Sequence, residues 1–156
     1  MRRLGLPLIA VVDTPGFMPG SKQEQAGVIR HGASLVRAFA AARVPKLTVV
    51  LRKSYGGAYI TMNSRDLGAD LVLAWPDAEL GIMSARAAVG IVNHRELRVE
   101  PDPEAERDRL ADAYAREHLL AESAAAEGLV DEIVEPEETR DRLAWALRSF
   151  AGDASP

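Results

Sequence analysis

The 156-residue sequence contains no cysteine, which excludes disulfides, thiolate metal centres and thiol nucleophiles. No apolar run approaches the roughly 20 residues needed to cross a bilayer, and no signal-peptide pattern is present, so no membrane partner and a cytoplasmic location are expected. Aromatic residues are only 5% of the chain, with none of the basic–aromatic alternation that serves nucleic acid. Neither a G-x-S-x-G nucleophile elbow nor an H-E-x-x-H zinc helix occurs. The three histidines, His31, His94 and His118, are scattered; surface or helix-packing roles are expected for each, and no metal site. There is no internal repeat and no low-complexity linker.

What is present is a globular composition, 47% hydrophobic and 27% charged, in a length that suits one domain. The net charge of −4 divides unevenly: residues 1–100 sum to +5 and residues 101–156 to −9. The acidic half argues against a nucleic-acid partner and is expected to form solvated helix faces. The basic half could favour an anionic small molecule.

Leu6-Pro7-Leu8-Ile9-Ala10-Val11-Val12 reads as a strand buried on both faces of a parallel sheet. A strand of that kind so early in the chain, with nothing before it, suggests an exposed sheet edge and a larger assembly. After a loop rich in proline and glycine, Ser21 and Glu24 have the spacing of a capping box, predicting a helix to about Ala42, stopped by Val44-Pro45. Lys46 to Leu51 is a second strand, 58–67 a helix closed by Gly68, Leu71 to Trp75 a third strand, Glu79 to Met83 a short fourth, and 85–93 a helix of small residues. The alternation predicts an α/β fold around a parallel sheet. Asp102-Pro103 then opens a long helix, with Asp112 and Arg116 four apart, that closes at Gly128. Residues 129–134 are extended, and Pro136 opens a last helix. Residues 1–150 form one domain, and 151–156 are expected to be a disordered tail.

The stretch that organises the chain is Arg52-Lys53-Ser54-Tyr55-Gly56-Gly57-Ala58-Tyr59. A buried strand runs through paired glycines directly into a helix, which presents backbone N–H groups at the positive end of a helix dipole. The amides of Gly57 and Ala58 could face an oxygen that becomes negative during a reaction. A tight turn with no ligand would use the same glycines. Asp13-Thr14-Pro15-Gly16, also after a strand, resembles the magnesium-side motif of GTPases, but the Gly-Lys dipeptide of their phosphate loop is missing.

Several strings in fixed order resemble one family. They are Val12-Asp13-Thr14-Pro15-Gly16-Phe17 with Pro19-Gly20 and Gln23-Glu24; Gly27-Val28-Ile29-Arg30-His31-Gly32-Ala33; the Gly-Gly turn itself; Leu67-Gly68-Ala69-Asp70; Ala74-Trp75-Pro76; and Glu127-Gly128-Leu129-Val130-Asp131-Glu132. Together they are similar to the carboxyltransferase component of biotin-dependent acyl-CoA carboxylases, of the propionyl- or acetyl-CoA β-subunit type. The resemblance runs over about residues 6–148. It implies a crotonase-like fold, a superhelix of ββα units, and corresponds to part of the C-terminal, biotin-side domain, without its opening portion.

The implied function is carboxyl transfer from carboxybiotin on a carrier domain to the α-carbon of a short-chain acyl-CoA. The enolates involved need preorganised donors rather than a side-chain base. By the same resemblance, Gly57 and Ala58 hold the biotin ureido oxygen as the catalytic donors. Gly16, Phe17, Tyr55, Gly56 and Tyr59 line the biotin pocket, and Ile60 lines the acyl or biotin pocket where propionyl-type members often carry Asp. Ser84-Ala85-Arg86 and His118-Leu119-Leu120-Ala121-Glu122 depart from the family pattern and bear on substrate identity. Implied partners are an acyl-CoA-binding half or sibling subunit and a biotin carboxyl carrier or biotin carboxylase component, in a homo- or hetero-oligomer. Three readings stay open: half of a carboxyltransferase, a non-catalytic assembly subunit or remnant, or another crotonase-like enzyme such as a biotin-dependent decarboxylase half or a hydratase.

Overall fold

The structure, a computed structural model, describes residues 5–18 and 20–151, without the side chain of residue 151. Pro19 and the expected tail 152–156 lie outside the described residues. Five parallel strands form one sheet in the order β1 (Leu8–Thr14), β2 (Lys46–Tyr55), β3 (Leu71–Ala74), β5 (Glu132–Ile133), with β4 (Glu79–Gly81) paired to the far end of β2.

The two central strands carry the continuous apolar runs, as strands covered on both faces must. Val50, Val72 and Ala74 face one way, with Ala10 and Val12 of β1, and pack under Ala121 and Ala124 of helix α7 (Ala121–Ala126). Leu47, Val49, Leu71 and Leu73 face the other way and pack against Ala146 of helix α8 (Thr139–Ala151). Thr48, on the same face as Val50, is buried because its hydroxyl donates to the Asn63 carbonyl at 2.7 Å and accepts from Asn63 Nδ2 at 2.9 Å. The hydroxyl is thereby satisfied as both donor and acceptor inside the core.

β1 departs from its expected burial. Ala10 and Val12 point inward, but Ile9 is 44% and Val11 56% exposed. β1 is the edge strand, and the face carrying Ile9 and Val11 has no full cover among the described residues, so the strand alternates instead of being buried throughout. The expected edge is therefore present and the expected double burial is not.

Several helix boundaries also move. The predicted helix to Ala42 is two, α1 (Ser21–Gln25) and α2 (Val28–Ala40), broken where Gly27 takes φ of 81°. The predicted capping box is absent: Gly20 is the N-cap, Ser21 is the first helical residue, and no side chain caps α1. Strand β2 continues four residues past Leu51, and α3 occupies Gly56–Thr61 instead of 58–67. β4 stops at Gly81, two residues short of Met83.

Helix α4 (Ala85–Val92) is as expected, followed by one further turn, α5 (His94–Leu97). Asp102 does cap α6 (Pro103–His118), accepting from the Ala105 amide at 3.2 Å. The long helix does not reach Gly128, because Leu119 and Leu120 break it to pair with β4: Leu80 N donates to Leu119 O at 2.8 Å, and Glu79 bridges to Leu120. The Asp112–Arg116 pair does not form; α6 uses Arg109–Glu106 and Arg107–Glu104 instead, three residues apart. Pro136 opens a single 3-10 turn (Pro136–Glu138) ahead of α8.

Candidate active site at the end of β2

Three strands converge on the C-terminal end of β2, and each contributes to the geometry there. The β1–β2 register slips between Val12 and Thr14, so that Thr14 falls opposite Ser54. An irregularity of this kind bends a strand and re-aims the residues beyond it. It brings the Pro15–Met18 loop over the start of α3, with Gly16 at φ 109° backed against the Tyr55 carbonyl, 3.4 Å from where a Cβ would sit. From the other side β4 pairs Glu79 to Gly81 with Lys53 to Tyr55.

The two glycines of the turn are needed for different reasons. Gly56 has φ of 64°, and a Cβ there would lie 3.2 Å from the Ile82 carbonyl oxygen. Backbone conformation and space both require it. Gly57 is helical and exposed; a Cβ would meet only the Phe17 ring, at 3.5 Å. Nothing in its backbone conformation calls for glycine, so bareness toward the surface is the property left to explain. The amides of Gly57 and Ala58 lie in the first turn of α3, where no intrahelical acceptor exists. No side chain caps the helix, and no backbone acceptor outside it takes up either N–H among the described residues.

The first turn of α3 separates two pockets. On one side is a cleft of about 560 Å³, with Gly56, Gly57, Tyr59 and Ile60 along one wall and Tyr114, His118 and Glu127 along the other. On the other side is a pocket of about 290 Å³ bounded by Gly16, Phe17 and Ala58, together with His31 and Gly32 of α2. Seven of the eight residues expected at the site surround this turn but do not share one pocket: Gly56, Gly57, Tyr59 and Ile60 line the cleft, whereas Gly16, Phe17 and Ala58 line the smaller pocket, because α3 stands between them. Tyr55 is the exception in its side chain, which is buried among Ala85, Val89 and Leu119 with its hydroxyl donating to Glu79. Burial, and then Glu79, push its phenol well above the ordinary tyrosine value.

Tyr59 differs. Its ring packs on the core under α7, but its hydroxyl oxygen is buried with no protein partner. Burial foremost, then the charges of Asp66 and Glu127, push its pKa up to about 12. It is a neutral hydroxyl, able to donate, that lacks an acceptor among the described residues. At the mouth, Arg52 holds the Asp13 carboxyl below the usual carboxylate range through a hydrogen bond from Nη2 at 3.0 Å. This fixes the start of the Pro15–Met18 loop to the end of β2.

Of the far wall of the cleft, the sequence singled out His118 and Leu119, in a stretch that departs from the family pattern, but placed neither Tyr114 nor Glu127 at the site. Tyr114 and His118 pack against each other with ring centroids 4.6 Å apart. Their four-residue spacing on a helix was the one signal that paired them, but nothing local placed that helix beside α3. Among the described residues no group of His, Asp or Glu side chains is disposed to hold a metal ion, and no helix is long and apolar enough to cross a membrane.

Known proteins place the chain in a family. Residues 1–153 match the carboxyl transferase domain family. The chain is 46% identical over 146 residues to the methylmalonyl-CoA carboxyltransferase 12S subunit of Propionibacterium freudenreichii, covering 94% of this chain and 28% of that one. It is 50% identical over 147 residues to the biotin-dependent acetyl-/propionyl-coenzyme A carboxylase beta6 subunit of Mycobacterium bovis, covering 92% of this chain and 31% of that one. The crystal structure of transcarboxylase 12S with methylmalonyl-coenzyme A and methylmalonic acid bound superposes with a TM-score of 0.89 at 44% identity, over 97% of this chain and 29% of that one. The chain therefore spans less than a third of the length of these relatives. Its α/β architecture is the crotonase-like fold of carboxyltransferases, and the chain belongs to the carboxyl transferase domain family.

Proposed function

We propose that residues 1–150 are the C-terminal, biotin-side domain of an acyl-CoA carboxyltransferase, acting in carboxyl transfer from carboxybiotin to the α-carbon of an acetyl- or propionyl-type acyl-CoA. The observation that carries this reading is the first turn of α3: an exposed glycine and two amides without an acceptor, beside a cleft of about 560 Å³. The residues present fit a biotin ring system. The cleft has apolar walls at Ile60, Leu80 and Leu119, and the Tyr59 hydroxyl beside it is buried without a hydrogen-bond partner among the described residues.

Carboxybiotin, when bound, supplies the carboxyl group. The chain's own part is electrostatic. The Gly57 and Ala58 amides hold the ureido oxygen as negative charge develops on it, in a setting where fixed donors act more strongly than water does. The missing Cβ at Gly57 lets that oxygen approach the backbone. Gly16 and Phe17 close the neighbouring side of the turn and restrict water. Ile60 meets the acyl or biotin group with an apolar surface, and Gly56 sets the turn. Tyr55 acts through its backbone at the strand end.

In this reading the acyl-CoA thioester binds to an acyl-CoA-binding half or sibling subunit, the carboxyl group arrives on a biotin carrier, and the assembly is oligomeric. Coenzyme A thioester chemistry goes with a cytoplasmic location.

Light scattering, on the chain alone and mixed with a candidate acyl-CoA-binding subunit, followed by an assay of carboxyl transfer from biotin to acetyl- and propionyl-CoA, tests the proposal. A lasting complex that transfers carboxyl is the expected result. A chain that ignores the partner and both thioesters overturns it.

A further inference from the structure

Phe17 is held between two glycines from different helices. A Cβ on Gly32, in the middle of α2, would lie 3.1 Å from Phe17 Cζ, and the three nearest atoms to it all belong to that ring. A Cβ on Gly57 would lie 3.5 Å from Cδ2 and Cε2 of the same ring. Gly32 is helical, without the positive φ that would call for glycine. Inside a helix, alanine holds the backbone better than glycine does. Helix propensity therefore argues against glycine at this position, and the space taken by the aromatic ring argues for it.

We infer that Gly32 is a positioning residue for the site at Gly57: its missing side chain seats the Phe17 ring, and the seated ring sets how the Gly57 backbone meets solvent and ligand. The inference rests on the donor role proposed above for the Gly57 turn. Three features connect the two glycines. The ring touches both; it belongs to the loop anchored by Asp13–Arg52 and by Gly16 against the Tyr55 carbonyl; and it forms one wall of the pocket of about 290 Å³ that Ala58 and Gly32 also line. The ring is 45% exposed and borders open space. An added methyl at Gly32 therefore displaces the ring by a few tenths of an ångström and leaves the helix in place.

Gly32→Ala in the assembled carboxyltransferase is expected to lower kcat about three- to tenfold, since sub-ångström misplacement at a preorganised site costs rate without abolishing binding. KM for the acyl-CoA and the circular dichroism melt should move little. On the background of Phe17→Leu, itself slower than the native protein, Gly32→Ala should cost nothing further. A second readout does not depend on activity. In nitrogen–proton correlation spectra of the full chain, Gly32→Ala should shift the Gly57 amide resonance through the ring current of Phe17, and should not shift it once Phe17 is leucine.

An unmoved Gly57 resonance and an unchanged kcat in Gly32→Ala overturn the inference. A Gly57 shift that persists in the Phe17→Leu background also overturns it, because the path would not run through the ring. If Gly32→Ala fails to fold, Phe17→Leu alone must still shift the Gly57 amide, and its failure to do so overturns the proposed contact. A shifted resonance with unchanged kcat supports the link from Gly32 to Gly57 while overturning the donor role of the turn, so the two readings fail separately.

Discussion

The two central strands of the sheet run parallel, are both buried where they pair with each other, and end in opposite ways. β3 ends closed. Trp75 N donates to Val50 O at 2.9 Å, its carbonyl accepts from Ala78 N at 3.0 Å, and its indole donates to Thr139 Oγ1 at 2.9 Å, which in turn donates to the Glu135 carbonyl at 3.2 Å. β2 ends open, in a glycine at φ 64°, a second glycine bare to the surface, and amides with no acceptor among the described residues. Folding energetics favour the first arrangement, because every polar group there has a partner. The second leaves donors preorganised for something from outside, as sites that stabilise developing charge require. One strand end secures the sheet to α8, and in the proposed function the other presents backbone to a ligand.

Substitutions at the two ends should therefore act on different quantities. The largest effect is expected from Gly57→Leu, whose side chain displaces Phe17 and fills the approach to the turn: kcat of the assembled carboxyltransferase should fall about 10²- to 10³-fold, the range for losing one such donor. Assembly measured by light scattering should be unchanged. Trp75→Ala should act oppositely, lowering unfolding free energy by about 3 kcal/mol in urea titration, the low end for removing a large aromatic because Trp75 is only partly buried. Its effect on kcat at temperatures where the protein stays folded should be small. Thr139→Val, which strands the Trp75 indole, should cost about 1 kcal/mol in the same titration, the usual value of one such hydrogen bond.

The smallest effect is a titration. The Tyr59 phenol, raised to about 12, should ionise later than an unperturbed tyrosine. The unfolded chain then loses this proton first as pH rises above about 10, so the contribution to stability is whole below that pH and fades between about 10 and 12. Ultraviolet titration of the phenolate should show a step near pH 12 that Tyr59→Phe removes. A step at the ordinary tyrosine value would mean that the hydroxyl is solvated, not orphaned in the cleft wall.

Sequence alone made the central part of this comparison visible. The continuous runs at Lys46 to Leu51 and Leu71 to Trp75 read as buried parallel strands, and Gly56-Gly57 read as a strand-to-helix turn with free amides. The illegible parts were decided by partners far along the chain. The second strand was expected to end at Leu51 but extends to Tyr55, because β4 supplies a ladder for Lys53 to Tyr55. Leu119-Leu120 looked like helix interior but breaks α6 from α7, because the same β4 segment takes their backbone. Ile9 and Val11 read as buried because an apolar run does not record which of its faces is covered. Tyr114 of the cleft wall had no local signal beyond its spacing from His118, since only the fold brings α6 beside α3. Tyr55, which the family resemblance put in the pocket, points into the core instead, as the period-two alternation of an extended β2 requires.

The central claim is that backbone N–H groups at Gly57 and Ala58, and not a side chain, do the work at the open strand end. Replacing the Ala58 amide by an ester, through incorporation of the matching hydroxy acid, removes one donor while leaving every side chain in place. A fall in kcat of about 10²-fold in the assembled carboxyltransferase is expected, with the melting temperature little changed because that N–H has no acceptor among the described residues. An ester variant that turns over at the native rate would contradict the claim.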